Sequence, residues 1–151
     1  MAGVFQEMCK LPYPGHPKGC PNYGKRRACP PRQRLLPDIF NMTRPLYVIC
    51  TSFDLKSHVS FLQKTHPTWS RRQLYCCLYW QGKARKNLKA AAEEFKKNNS
   101  GYFVSFCPEA MGVNVSSMMK KVVEVSLEWP VETIAYQVAI AGIPREGKDM
   151  K

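Results

Sequence analysis

The chain has 151 residues, with 23 Lys or Arg against 11 Asp or Glu, giving a formal charge of +12. That length suits one domain with a real core and is too short for two of ordinary size. No run of about 18 or more apolar residues is present to span a bilayer, and no signal-peptide apolar region precedes the first prolines, so the expected location is the cytoplasm.

In a reducing compartment structural disulfides are disfavoured, which shifts the reading of seven cysteines towards metal ligation or catalysis. An odd number also fits a disulfide framework poorly. The basic charge is uneven: residues 1–100 hold 18 of the 23 basic side chains, while residues 101–151 carry 5 basic against 6 acidic. A positive surface that attracts an anionic partner is expected on the first two-thirds.

Residues 1–45 are dense in Pro, Gly, Cys and basic side chains, with prolines spaced too closely for a helix or a paired strand. The segment reads as an ordered loop or a disordered tail. Cys9, Cys20 and Cys29, interleaved with the prolines, allow a metal to replace the missing apolar core as the organising force.

Residues 46–53 form a β-branched and aromatic run bounded by Pro45 and Asp54, read as a buried strand with Cys50 in the core. Asp54 caps a helix to about Lys64. Ser70 followed by Gln73 is a capping-box pattern, opening a helix expected from Arg71 to about Lys97 with a bend allowed at Gly82. On its wheel Leu74, Cys77, Trp80, Ala84, Leu88, Ala91, Ala92 and Phe95 share the apolar face, with Cys76 at the boundary. Arg71, Arg72, Lys83, Arg85, Lys86, Lys89, Lys96 and Lys97 fall in the opposite arc, of about 160°.

Residues 101–107 read as a second buried strand, Asn114 or Ser116 as the cap of a helix through Met118 and Met119, and residues 127–129 as a short extended piece. Residues 133–143 alternate as a final strand whose direction the sequence does not give. The expected fold class is α/β: one compact domain over 1–151, a small sheet flanked by helices. Within it residues 1–45 form the Cys/Pro-rich metal-binding loop, 46–143 the core and 144–151 a tail.

Three cysteines precede proline directly, at Cys20-Pro21, Cys29-Pro30 and Cys107-Pro108. Proline removes a backbone donor and fixes the turn that carries the chain away from a metal, as in the Cys-Pro ending of bacterial ferredoxin runs. The long spacings between Cys9, Cys20 and Cys29 depart from the two-to-four-residue knuckles of structural zinc sites, which favours an iron-sulfur cluster.

Cys9 with the stretch from Cys20 through Asn22-Tyr23-Gly24 to Cys29-Pro30-Pro31 resembles the N-terminal signature of a family of small predicted metal-binding proteins of bacteria and archaea. Residues 107–115, from Cys107-Pro108 through Glu109-Ala110 and Gly112, are similar to a later segment of that family. The resemblance implies metal binding ahead of an α/β domain and gives no reaction. That family carries a group of close cysteines before the second segment. This chain has Cys107 alone there, which implies one cluster.

The reading is therefore one 4Fe-4S cluster held by Cys9, Cys20, Cys29 and Cys107. His16 is the alternative fourth ligand and Cys76 the reserve. If Cys107 does not ligate, an open iron could bind substrate, so the sequence leaves open whether the chain is an enzyme. The rival reading is a non-catalytic nucleic-acid-binding module with structural zinc on the same cysteines. The arc containing Lys83, Arg85, Lys86 and Lys89 could track the phosphates of RNA or DNA, with Tyr75 and Tyr79 as stacking groups. No redox partner can be named. There is no P-loop, dinucleotide fingerprint, HExxH helix or nucleophile elbow.

Overall fold

The computed structural model describes residues 3–13 and 15–145, so the expected tail beyond Arg145 lies outside the described residues. Three strands, β1 (Tyr47–Asp54), β2 (Phe103–Ser105) and β3 (Ile134–Gly142), form an antiparallel sheet in the order β1-β3-β2. The segment whose direction was not readable is thus the central strand. It pairs Tyr47 with Ala141 at one end of β1 and Asp54 with Ile134 at the other.

Alternation along the strands gives the sheet two faces. Ile49, Val104, Ala135, Ala139 and Ala141 meet the helices α3 (Leu55–Thr65) and α5 (Gln81–Asn98), with Leu55, Val59, Ala84, Leu88 and Ala92 buried from the helical side. Alanines on both α5 and β3 let the helix approach the sheet closely. Asp54 ends β1 and starts α3, its carboxylate accepting from the Ser57 amide at 2.9 Å.

The opposite face is covered by the Pro-rich region and by residues 109–118. Phe40, fully buried, packs there with Ile39, Met111 and Ile140, just after the short helix α2 (Leu36–Ile39). Gly142 of β3 faces Phe40: a Cβ at this position would stand 2.7 Å from Phe40 Cδ1 and 2.5 Å from Leu46 Cδ2. The Pro-rich segment is therefore a layer of the fold. It starts with a helix, α1 (Gly3–Glu7), and residues 21–32 run as a series of turns.

The long helix expected over 71–97 is broken. Helix α4 (Arg71–Leu74) carries the expected capping box, then residues 75–80 unwind through a 3-10 turn before α5 begins. The break lies ahead of Gly82, in a Tyr-Cys-Cys-Leu-Tyr-Trp run of mostly weak helix formers. It lets Trp80 bury against Phe53, rings stacked at 5.6 Å, while its Nε1 donates to the Tyr75 carbonyl.

One wheel cannot span that break, so two expectations change. Cys77 is exposed, and Arg71 leaves the basic arc to pair with Glu132 at 2.5 Å and cover the Tyr75 ring. Tyr79 is occupied too, stacked on Trp69, which stacks on His66. Cys50, on the sheet face away from α5, is half-buried where core burial was expected.

Strand β2 is shorter than expected, and residues 127–129 form no strand; they belong to a loop in which Glu128 accepts from the Thr133 hydroxyl and from the Thr133 and Glu132 amides. Asn114, and not Ser116, caps α6 (Val115–Met118), accepting from the Ser117 amide.

Candidate metal centre

Cys9 lies in a 3-10 turn, Met8–Lys10, that continues α1. The Cys20 amide donates to the Cys9 carbonyl at 2.7 Å, fastening the first two cysteines together through their backbones. Gly19 makes that approach possible. Its φ of +80° lies in the left-handed region, and a Cβ there would stand 2.7 Å from the carbonyl oxygens of both Cys9 and Lys10.

From Cys20 the chain turns back on itself. The Tyr23 amide donates to the Cys20 carbonyl, and the Gly24 amide donates to the Pro30 carbonyl at 2.8 Å, closing the loop that ends at Cys29. The Cys29 carbonyl then accepts from both Arg32 and Gln33. Pro30 is buried, so the chain leaves Cys29 through an anchored residue. Cys107 follows β2 and precedes the fully buried Pro108, and its carbonyl accepts from the Ala110 amide.

Gln6 ties these pieces together. Its Nε2 donates to the Gln33 carbonyl at 3.0 Å and to the Ala110 carbonyl at 2.6 Å, linking α1 to the segments that follow Cys29 and Cys107. Lys10 adds a second tie, pairing with Glu7 and lying 5.2 Å from the centre of the Tyr23 ring. Sequence reasoning missed Gln6 because its acceptors lie 27 and 104 residues away. No local pattern marks it.

Electrostatics connect the four cysteines. Desolvation pushes the Cys9 thiol up, and the charges of Cys20, Cys29 and Glu109 push it further. The Cys107 thiol is raised by desolvation, Glu109 and Cys29, against a lowering from Arg85. Glu109 is itself raised by its desolvating surroundings. Cys107 and Glu109 are both exposed, and each lines a concavity. Glu109, with Cys9 and Cys20, lines a cleft of about 750 Å³ whose other walls include Phe5, Tyr13 and Trp129.

Cys76 is half-buried in the break before α5, and neither it nor His16 is among the groups whose charge reaches Cys9 or Cys107. His16 instead packs on the Tyr13 ring at 4.7 Å.

Among the described residues no three His, Cys, Asp or Glu side chains stand close enough to grip a single ion. A tetrahedral zinc with bonds of about 2.3 Å needs sulfurs only about 3.8 Å apart. A polynuclear cluster spreads its cysteines more widely. The donor set suits such a group: four soft thiols, of which Cys9 lies within reach of the charges of Cys20 and Cys29, and Cys107 within reach of that of Cys29.

The chain matches no family model, no curated protein and no solved structure. Among the described residues no helix is long and apolar enough to cross a membrane.

Proposed function

We propose that this chain is an iron-sulfur protein with one 4Fe-4S cluster held by Cys9, Cys20, Cys29 and Cys107, working in the reducing cytoplasm. The observation that supports it best is the shared field: Cys9 feels Cys20 and Cys29, Cys29 reaches Cys107, and Glu109 acts on both ends. Gln6 ties α1 to the segments that follow Cys29 and Cys107, a link across 104 residues of sequence that supports one shared site for the four thiols. The resemblance of residues 20–31 and 107–115 to a metal-binding family points the same way.

Anaerobic reconstitution with iron and sulfide tests the reading. A brown protein with about four irons and four sulfides per chain is expected for this cluster type. One zinc per colourless chain, with no uptake of iron and sulfide, would replace it with the structural-zinc alternative.

RNA or DNA binding on α5 is a second reading, carried by one observation. Lys96 and Lys97 near the end of the helix pair with Glu93 and Glu94, whereas Lys83, Lys86 and Lys89 are exposed with no acidic partner among the described residues. Arg85 beside them bonds Gln81. Binding on this face would weaken with salt by a slope of about 0.7 per phosphate contacted on single strands and about 0.9 on duplex. Replacing Lys83, Lys86 and Lys89 with Glu should abolish it and leave iron content unchanged; binding that survives the replacement would remove α5 from consideration.

A further inference from the structure

Cys107 lines a different concavity from Cys9 and Cys20. This second groove, of about 610 Å³, is walled by Arg27, Arg32 and Arg34 from the Pro-rich layer and by Phe103 and Phe106 at the edge strand β2. Among the described residues no Asp or Glu lines it. Arg34 is half-buried and makes no hydrogen bond or ion pair among the described residues, while Arg32 donates once, at 3.4 Å, to the Lys25 carbonyl. Most of the guanidinium donors of these two side chains are therefore uncommitted. A guanidinium drawn partly out of water without an acceptor is costly, and its planar fork matches a carboxylate or phosphate.

The two phenylalanines supply the other half of the recognition surface. Phe103 and Phe106 are 38% and 41% exposed, large for rings on a strand and its exit. Rings beside arginines form a surface for a flat apolar body that carries a negative charge.

We propose that this groove binds a small anionic molecule, a phosphate or carboxylate head on a flat apolar body, with the head on Arg32 and Arg34 and the body on Phe103 and Phe106 beside Cys107. As a substrate or effector of the metal centre it rests on the iron-sulfur reading; as a binding site it does not. The size favours a small molecule over a polymer, since sites for such ligands fall at about 300–1,000 Å³ and this groove lies within that range. A nucleic-acid strand needs a charged track that runs on past one ligand length.

Calorimetric titration with phenyl phosphate, benzoate, inorganic phosphate and a single-stranded oligonucleotide tests the proposal, on the full chain both before and after iron and sulfide loading. One saturable site for phenyl phosphate or benzoate is expected, the tighter of the two naming the head group. Arg34→Gln should weaken that binding roughly tenfold, the effect of losing a charge-assisted hydrogen bond. Phe106→Ala should weaken phenyl phosphate while leaving inorganic phosphate unchanged.

A Lys56→Gln and Lys64→Gln pair removes charge from α3, outside the groove, and should alter neither. Saturable binding of none of the three small probes would overturn the proposal. So would equal losses in the lysine pair, or an oligonucleotide that competes with phenyl phosphate for the groove and binds the parent more tightly. Iron and sulfide analysis of the same samples separates the two readings: binding by a chain that takes up no iron keeps the groove and removes the cluster, and a loaded chain that binds no probe does the reverse.

Discussion

Between Met8 and Arg34 only Gly19 and Pro30 are buried among the described residues, whereas α5 alone buries Ala84, Leu88 and Ala92. The cysteine layer takes its shape from backbone hydrogen bonds and the Gln6 clamp, each worth about 0.5–1.5 kcal/mol net. The helical layer takes its shape from apolar area removed from water. One layer is specified by a few directional contacts and can be disturbed at single atoms. The other is specified by volume, and tolerates any change that keeps its packing.

The sharpest break between the layers is expected from the ligands. Cys9→Ser, Cys20→Ser and Cys29→Ser should each abolish iron binding, because a loop with so little core depends on every ligand. Their far-ultraviolet circular dichroism should stay that of the parent. Full iron content in any two of them would dismantle the assignment.

Next in size is Phe40→Ala, which removes the fully buried ring joining the layers and should destabilise the whole chain by about 3–5 kcal/mol in urea unfolding. An unfolding midpoint unchanged by this variant would mean that the Pro-rich layer is not docked on the sheet.

Gly19→Ala should act on one side only. It places a Cβ against two carbonyl oxygens at 2.7 Å in a left-handed backbone, a local cost of about 1–3 kcal/mol. Lower iron occupancy is expected, with core melting little altered. Equal iron content would show that the Cys9–Cys20 contact is dispensable.

Acid supplies a smaller lever. Glu128 is held down to about 2 by the Thr133 hydroxyl and by the Thr133 and Glu132 amides. A depressed carboxyl contributes stability that is complete above its ordinary value near 4.5 and is lost as pH falls towards about 2. In Glu128→Gln the decline of stability over that interval should be shallower than in the parent, as followed by tryptophan fluorescence. The smallest effect belongs to Cys77→Ser. This exposed thiol should be replaceable at a cost within about 0.5 kcal/mol in thermal melts.

Local signals were legible in the sequence. Asp54 before α3 and the Ser70 and Gln73 pair before α4 announce their caps within four residues, and the structure has both. The break at residues 75–80 was hidden because the burial of Trp80 against Phe53 is a long-range event that overrides the apolar periodicity on either side. Strand order was hidden for a related reason: alternation gives a strand its faces but not its neighbours. At the candidate site, the Cys-Pro pairs pointed to Cys20, Cys29 and Cys107. The field that links them, and the glutamine that holds their segments, exist only in three dimensions.

The central place of β3 bears on the order of events during synthesis. Strands β1 and β2 touch β3 and not each other, so neither has a sheet partner until Ile134–Gly142 has left the ribosome. By then every cysteine has long since emerged, on a nascent chain whose sheet has not formed. Sheet formation must also close a loop of about eighty residues between Asp54 and Ile134 in the β1–β3 pairing, which makes it slow on topological grounds. Until then the sheet does not hold Cys107 in place relative to the cysteines of the Pro-rich layer, and the thiols are open to oxidants. If these cysteines are to serve as ligands, they must stay reduced until β3 has been made.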